Sequence, residues 1–339
     1  MRTPFPTLEA AGCAFAASLA VAAPGAAASA GAPAWLGALI AAAAMAAGCL
    51  LCCAGIGEAM AARQSEALAA HWEDGLPRYR AFKAEAGREP RALAKDSAER
   101  GVGVWLADAL RLADAGELPR RAALAIAEAG GPISPERAAA MPESPYGARE
   151  AAPAPMALRT LLAACCAAAG AGACWTFGPC AGGAFAAREA LLLLATLATA
   201  SLAACDHGSR MLPARWSALV WALGAAAALI ASPRSFAAWA AVAAFYAAAM
   251  GLGSLALKAL GRKNSVGAGD LRLAPACAAA CGPEGSIFGL ACAIAAMAAH
   301  YLPRLADYRL RADSLVPMGA FLHIWLCAGL AWPAIASLT

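Results

Sequence analysis

The chain has 339 residues, of which 62% are apolar and only 14% are charged, and its net charge is +4. An ordinary soluble domain carries about a quarter charged residues, so this composition points to membrane-embedded helices. It excludes a nucleic-acid surface, because the basic residues are scattered. Much of the apolar content is alanine and glycine, which let helices approach closely in lipid. The expected fold class is therefore all-α: a polytopic membrane helix bundle of about eight or nine spans with a helical cytoplasmic insert.

Residues 1–33 hold one early arginine, a modest apolar core and a small-residue tail. They read as a signal-like segment or an extra first span. Residues 34–56, AWLGALIAAAAMAAGCLLCCAGI, read as a transmembrane helix that crosses inward. Residues 57–155 differ in kind, with thirteen Lys and Arg, many acids and helix-like stretches such as VWLADALRLADAG. This is the cytoplasmic helical insert, and its Pro-, Gly- and Ser-rich end is a linker. It contains no cysteine, and His71 is its single histidine.

Residues 156–339 return to apolar runs and form a multi-span domain. The runs are 156–178, 187–205, 216–232, 236–257, 271–302 and 316–336. The run 271–302 is interrupted by GPEG at 282–285 and reads as two helices of unequal length. Nine Lys or Arg then fall on the loops 206–215, 258–272 and 303–313, against Arg188 and Arg234 on the opposite set. The positive-inside rule places the insert and these three loops in the cytoplasm. The thirteen cysteines lie almost wholly in apolar runs, where cysteine is a small hydrophobe. Cys49 and Cys52 form an isolated CxxC inside a span, and no metal site is assigned to them.

Two acids stand out. Asp206 ends LLLLATLATASLAACD and Asp270 stands in GRKNSVGAGD, both on the cytoplasmic side and two helices apart. An acid beside hydrocarbon needs a partner or a task. Two carboxyls at one site share a proton, so that one activates water while the other donates, which is the logic of aspartic peptidases. Gly267 and Gly269 leave bare backbone before Asp270, where a substrate strand can approach.

CDHGSRMLP, with Asp206, Leu212 and Pro213, and GRKNSVGAGDLRL, with Gly267, Gly269, Asp270 and Leu273, resemble the two active-site motifs of the type IV prepilin leader peptidases. The segment VPMGAFL, Val316 to Leu322, resembles that family's proline-glycine segment before its last helix. The resemblance spans residues 187–325. Ala214, Arg272 and Ala320 depart from the usual Asp, Lys and Pro. It implies a GxGD membrane aspartic peptidase with Asp206 and Asp270 catalytic and Gly267, Gly269, Leu212 and Pro213 supporting them. Arg272 keeps a basic charge that suits lipid phosphate or the carboxylates.

The implied substrate is a prepilin or pseudopilin, cut after glycine at the cytoplasmic face of a bacterial inner membrane. Besides that substrate, membrane lipid is the expected partner, and no cofactor is expected. Many members of the family also methylate the product, and that half is associated with a loop bearing two CxxC pairs. The insert lacks cysteine, so methyl transfer is not expected here. The competing readings are a transporter or proton pathway that uses the two aspartates, and a noncatalytic pilus or secretion assembly factor.

Overall fold

The structure is a computed structural model that describes residues 6–31, 33–114, 118, 120–141, 154–177, 183–209, 212–259, 267–306 and 317–337. Among these the regular elements are all helical. They are α1 (Pro6–Ser29), α2 (Ala34–Cys52), α3 (Glu58–Ala86), α4 (Ser97–Asp114), α5 (Arg120–Glu128) and α6 (Pro135–Ala139). There follow α7 (Met156–Phe177), α8 (Gly183–Ser209), α9 (Ala214–Ala231), α10 (Pro233–Ala259), α11 (Ala268–Ala306) and α12 (Gly319–Ala336). Eight of the described helices are long and apolar enough to cross a membrane. The protein is an all-α, multi-pass membrane helix bundle.

The chain divides into two compact units, one of Met1–Ala61 with Pro153–Thr339 and one of Ala62–Ala152. The second unit has its own core of Tyr79, Trp105, Leu106, Leu118, Ile126 and Ile133. Its α4 starts at an N-cap, in which Asp96 Oδ2 accepts the Glu99 N–H at 2.9 Å. Arg88 grips the Glu99 carboxylate with both nitrogens, at 2.6 and 3.0 Å, and this pairing holds that carboxyl below its ordinary range. Charge pairs outside and aromatic residues inside make this a water-facing fold in composition.

In the membrane unit, small residues set the helix spacing. A Cβ on Gly48 would stand 2.7 Å from Ala16 Cβ, and one on Gly37 would stand 3.2 Å from the Pro24 backbone. The bare glycine surfaces thus let α1 and α2 lie against each other as an antiparallel pair. Residues 34–56 were expected to end the span. The helix instead continues through a π-helical turn, Cys53–Gly57, directly into α3.

The interruption expected at GPEG is real. Gly282 has φ 72° and ψ 179°, a conformation open almost only to glycine, inside the stretch 268–306. Pro283 then follows at the start of the second limb, where its missing N–H costs nothing. Contacts with α12 show that the chain reverses there. Along the second limb, Tyr301 stacks on Phe321 (ring centroids 5.6 Å), Trp325 Nε1 donates to Ser286 O at 2.9 Å, and Phe288 meets Trp332. Residue numbers fall on one side as they rise on the other, so this limb is antiparallel to α12. At the first limb's far end, Cys281 Sγ reaches Leu326 O at 3.5 Å, while its near end lies by Asp206 and the start of α12. This limb is parallel to α12.

One end of the bundle gathers the remaining termini. Glu58 at the end of the α2 span pairs with Arg159 at the start of α7. A Cβ on Gly57 would meet Ala204 Cβ at 2.7 Å, close to Asp206 on α8. Gly319 bonds Asp206. Residues 57, 159, 206, 270 and 319 therefore share one face, as the alternation of basic loops requires; 210–211, 260–266 and 307–313 of those loops lie outside the described residues.

The hairpin has a topological consequence. A reporter fused after Ser232 or Glu284 should mark one side of the membrane, and one after Arg215 or Pro303 the other. If Pro303 reported with Ser232, α11 would be one uninterrupted span. Gly282→Ala should lower stability by about 1–3 kcal/mol in detergent melts, because alanine is strained at this φ and ψ.

Candidate functional site

Asp206 lies in the last turn of α8, and only 5% of its surface is exposed. Its Oδ2 accepts the N–H of Gly319 at 2.7 Å. Gly319 is the first residue of α12, and its amide is one of those a helix leaves without an internal partner. A carboxylate at that position is favoured by the charge-assisted bond and by the helix dipole. The approach is close. A Cβ at Gly319 would stand 3.0 Å from Ala203 Cα and 3.1 Å from Asp206 Oδ2, so glycine is what lets the amide reach the acid.

Asp270 is the third residue of α11 and accepts the backbone N–H of Gly267, as the acid of a capping box does. The same turn is closed by Leu271 N–H to Gly267 O at 3.1 Å. The Asp206 carboxyl acts on Asp270 by its charge, so the two acids share one electrostatic site. They come from separate helices, and each is held by a glycine amide at a helix start.

The other expected site residues fall around this pair in different ways. Leu212 is buried, and a Cβ on Gly269 would stand 2.8 Å from Leu212 Cβ. Gly269 therefore does not leave open backbone for a substrate, as the sequence suggests; its bare face is filled by Leu212, which joins the two motifs. Gly267 is exposed, but a Cβ there would stand 3.0 Å from Asp270 Oδ2. Pro213 precedes α9 in an extended conformation, and its carbonyl accepts the N–H groups of Trp216 and Ser217 at 3.1 Å each. Trp221 Nε1 on α9 donates to Arg272 O at 2.8 Å and fixes the first turn of α11.

Arg272 is exposed, and its Nε donates to Ala268 O at 3.0 Å. This arrangement suits a lipid phosphate better than a role in steadying the carboxylates. Arg210, one of the bases near Asp206 in sequence, lies outside the described residues. The Cys49–Cys52 pair is divided between two helix faces, with Cys49 toward Cys53 and Cys166 and Cys52 toward Cys13 and Ser201.

Compared with family models, curated proteins and solved structures, the chain matches none. The chemistry of the site therefore rests on its own geometry. Two carboxyls from separate helices stand near one another at one end of the bundle, each anchored by a backbone amide.

Two features escape the sequence reading. Gly319 lies in a segment whose resemblance was noted, yet nothing in the sequence shows that its amide meets Asp206. His323, fully buried one turn further along α12, goes unnoticed; its signal is a lone imidazole in an apolar run.

The packing of Leu212 on Gly269 can be measured. Gly269→Ala should cost about 1–3 kcal/mol by overpacking. Combined with Leu212→Gly it should cost less than the sum of the two single changes, read from detergent melts as a double-mutant cycle.

Proposed function

We propose that this chain is a membrane aspartic endopeptidase of the prepilin leader peptidase kind, acting at the cytoplasmic face of a bacterial inner membrane on a prepilin or pseudopilin. The observation that carries the reading is the convergence of Asp206 and Asp270 at one end of the bundle. The three segments that resemble the family's motifs meet there through Gly319 on Asp206 and Leu212 on Gly269.

In the proposed reaction a water lies between the two carboxyls. The ionised one takes a proton as the water oxygen attacks the scissile carbonyl carbon, and the protonated one donates to the carbonyl oxygen. The tetrahedral intermediate collapses when a proton passes to the departing amine, which yields a carboxylic acid and an amine and returns the pair to a single proton. The Gly319 and Gly267 amides fix each carboxyl against its helix, so the acids do not drift apart under their mutual repulsion. The substrate's apolar helix lies in lipid and presents its polar junction at the depth of the pair.

The reading includes cleavage without methylation. Residues 57–155 contain no cysteine and a single histidine, so the insert cannot build a four-thiolate zinc site from its own residues.

The test is coexpression with candidate prepilins and mass measurement of their N-termini. Asp206→Asn and Asp270→Asn should each cut leader removal by about a hundredfold or more while the chain stays in the membrane. Near-normal cleavage by either variant would remove the dyad from the mechanism. A product heavier by one methyl group in the presence of S-adenosylmethionine and purified enzyme would refute the non-methylating reading.

A further inference from the structure

One to two turns below the aspartates, the bundle interior holds a cluster that the proposed reaction does not use. His323 on α12 is fully buried. Its Nε2 lies 3.6 Å from Cys166 Sγ on α7 and 3.4 Å from Cys327 Sγ, one turn further along α12. Cys327 is nearer to Nε2 than to Nδ1, which is 3.9 Å away. One ligand atom from each of Cys166, His323 and Cys327 lies within 4.8 Å of the others. Cys49 on α2 lies against Cys166, and Leu162 O is 3.3 Å from His323 Nε2.

The hydrogen bonds around the ring are compatible with a proton on either nitrogen. Thr199 Oγ1 donates its one hydrogen to Thr196 O at 2.9 Å. It can then accept from His323 Nδ1–H, also 2.9 Å away, which leaves Nε2 unprotonated. The Nε2 lone pair then faces two sulfurs, whereas in the other tautomer Nε2–H donates to Leu162 O at 3.3 Å.

The spacing also fits a metal. A tetrahedral ion about 2.3 Å from sulfur and about 2.1 Å from nitrogen sets the two ligand atoms about 3.6 Å apart. His323 and Cys327 are four residues apart, the interval that puts two ligands on one helix face. The Thr199 hydroxyl on Nδ1 is the outer-shell partner that orients a ligating imidazole.

We propose that Cys166, His323 and Cys327 bind one divalent zinc ion inside the membrane bundle. Two thiols lose their protons to solvent as the ion binds during folding. Two thiolates, a neutral imidazole and the dication sum to zero charge, which a low-dielectric interior requires. The ion ties α7 to α12 one turn below Gly319, and through Thr199 it reaches α8 seven residues before Asp206. Its role is structural: it holds the start of α12 against α8. The inference is independent of the peptidase reading.

The test uses the purified full-length chain in detergent, with zinc alone and then cobalt alone as probes. Mass spectrometry of the folded, monodisperse chain should find about one zinc per chain, and cobalt should give thiolate charge-transfer and tetrahedral visible bands. Cys166→Ser with Cys327→Ser should lose both signals, Cys52→Ser with Cys277→Ser should keep them, and Thr199→Val should weaken metal affinity about 10–100-fold. A folded unmodified chain that takes up no zinc and shows no cobalt bands would overturn the site, whatever the variants do. So would a double Cys166/Cys327 variant that keeps its metal.

Discussion

The hydrogen bond from the Gly319 amide to the Asp206 carboxylate constrains the whole membrane unit. It requires the start of α12 to lie at the end of α8, on the face that also holds Glu58 and Arg159. Between these two helices the chain must therefore cross the membrane an even number of times. With α9 and α10 accounting for two crossings, α11 has to make the other two, and so it turns back at Gly282. Close contact with α12 seals the hairpin, since Gly285 and Gly289 present bare backbone to Gly329 and Trp325. The stretch of small residues and the broken helix thus serve one end, the delivery of a backbone amide to a buried acid.

The second acid obeys the same physics through a shorter route. Asp270 finds its amide three residues back in its own chain, at Gly267, and needs only a helix start to hold it. What it cannot supply locally is the partner carboxyl. Leu212 on Gly269 and Trp221 on Arg272 provide that by pinning the first turn of α11 to the segment after α8. Each glycine in the pattern has a separate physical use, and none of them is simply a flexible spacer.

Much of this was legible in the sequence because it rests on local rules. Apolar runs and the alternation of Lys and Arg between loops indicate spans and their order. GPEG announces a break because proline and glycine interrupt helices for reasons of single-residue geometry. The insert's separate character shows in its charge. Contacts between distant segments were not legible. The packing face of Gly269 depends on Leu212, the π turn at Cys53–Gly57 on how α2 meets α8, and the surroundings of His323 on three helices closing around one ring. A cysteine in an apolar run looks the same whether it faces lipid, as a small hydrophobe, or an imidazole.

The first limb of α11 runs only from Ala268 to Cys281 before the reversal. At about 1.5 Å per residue its fourteen or so residues reach roughly 21 Å, against a hydrocarbon thickness of about 30 Å. With its far end at the opposite interface, a limb of this length leaves Asp270 short of the headgroups unless the bilayer thins around the hairpin.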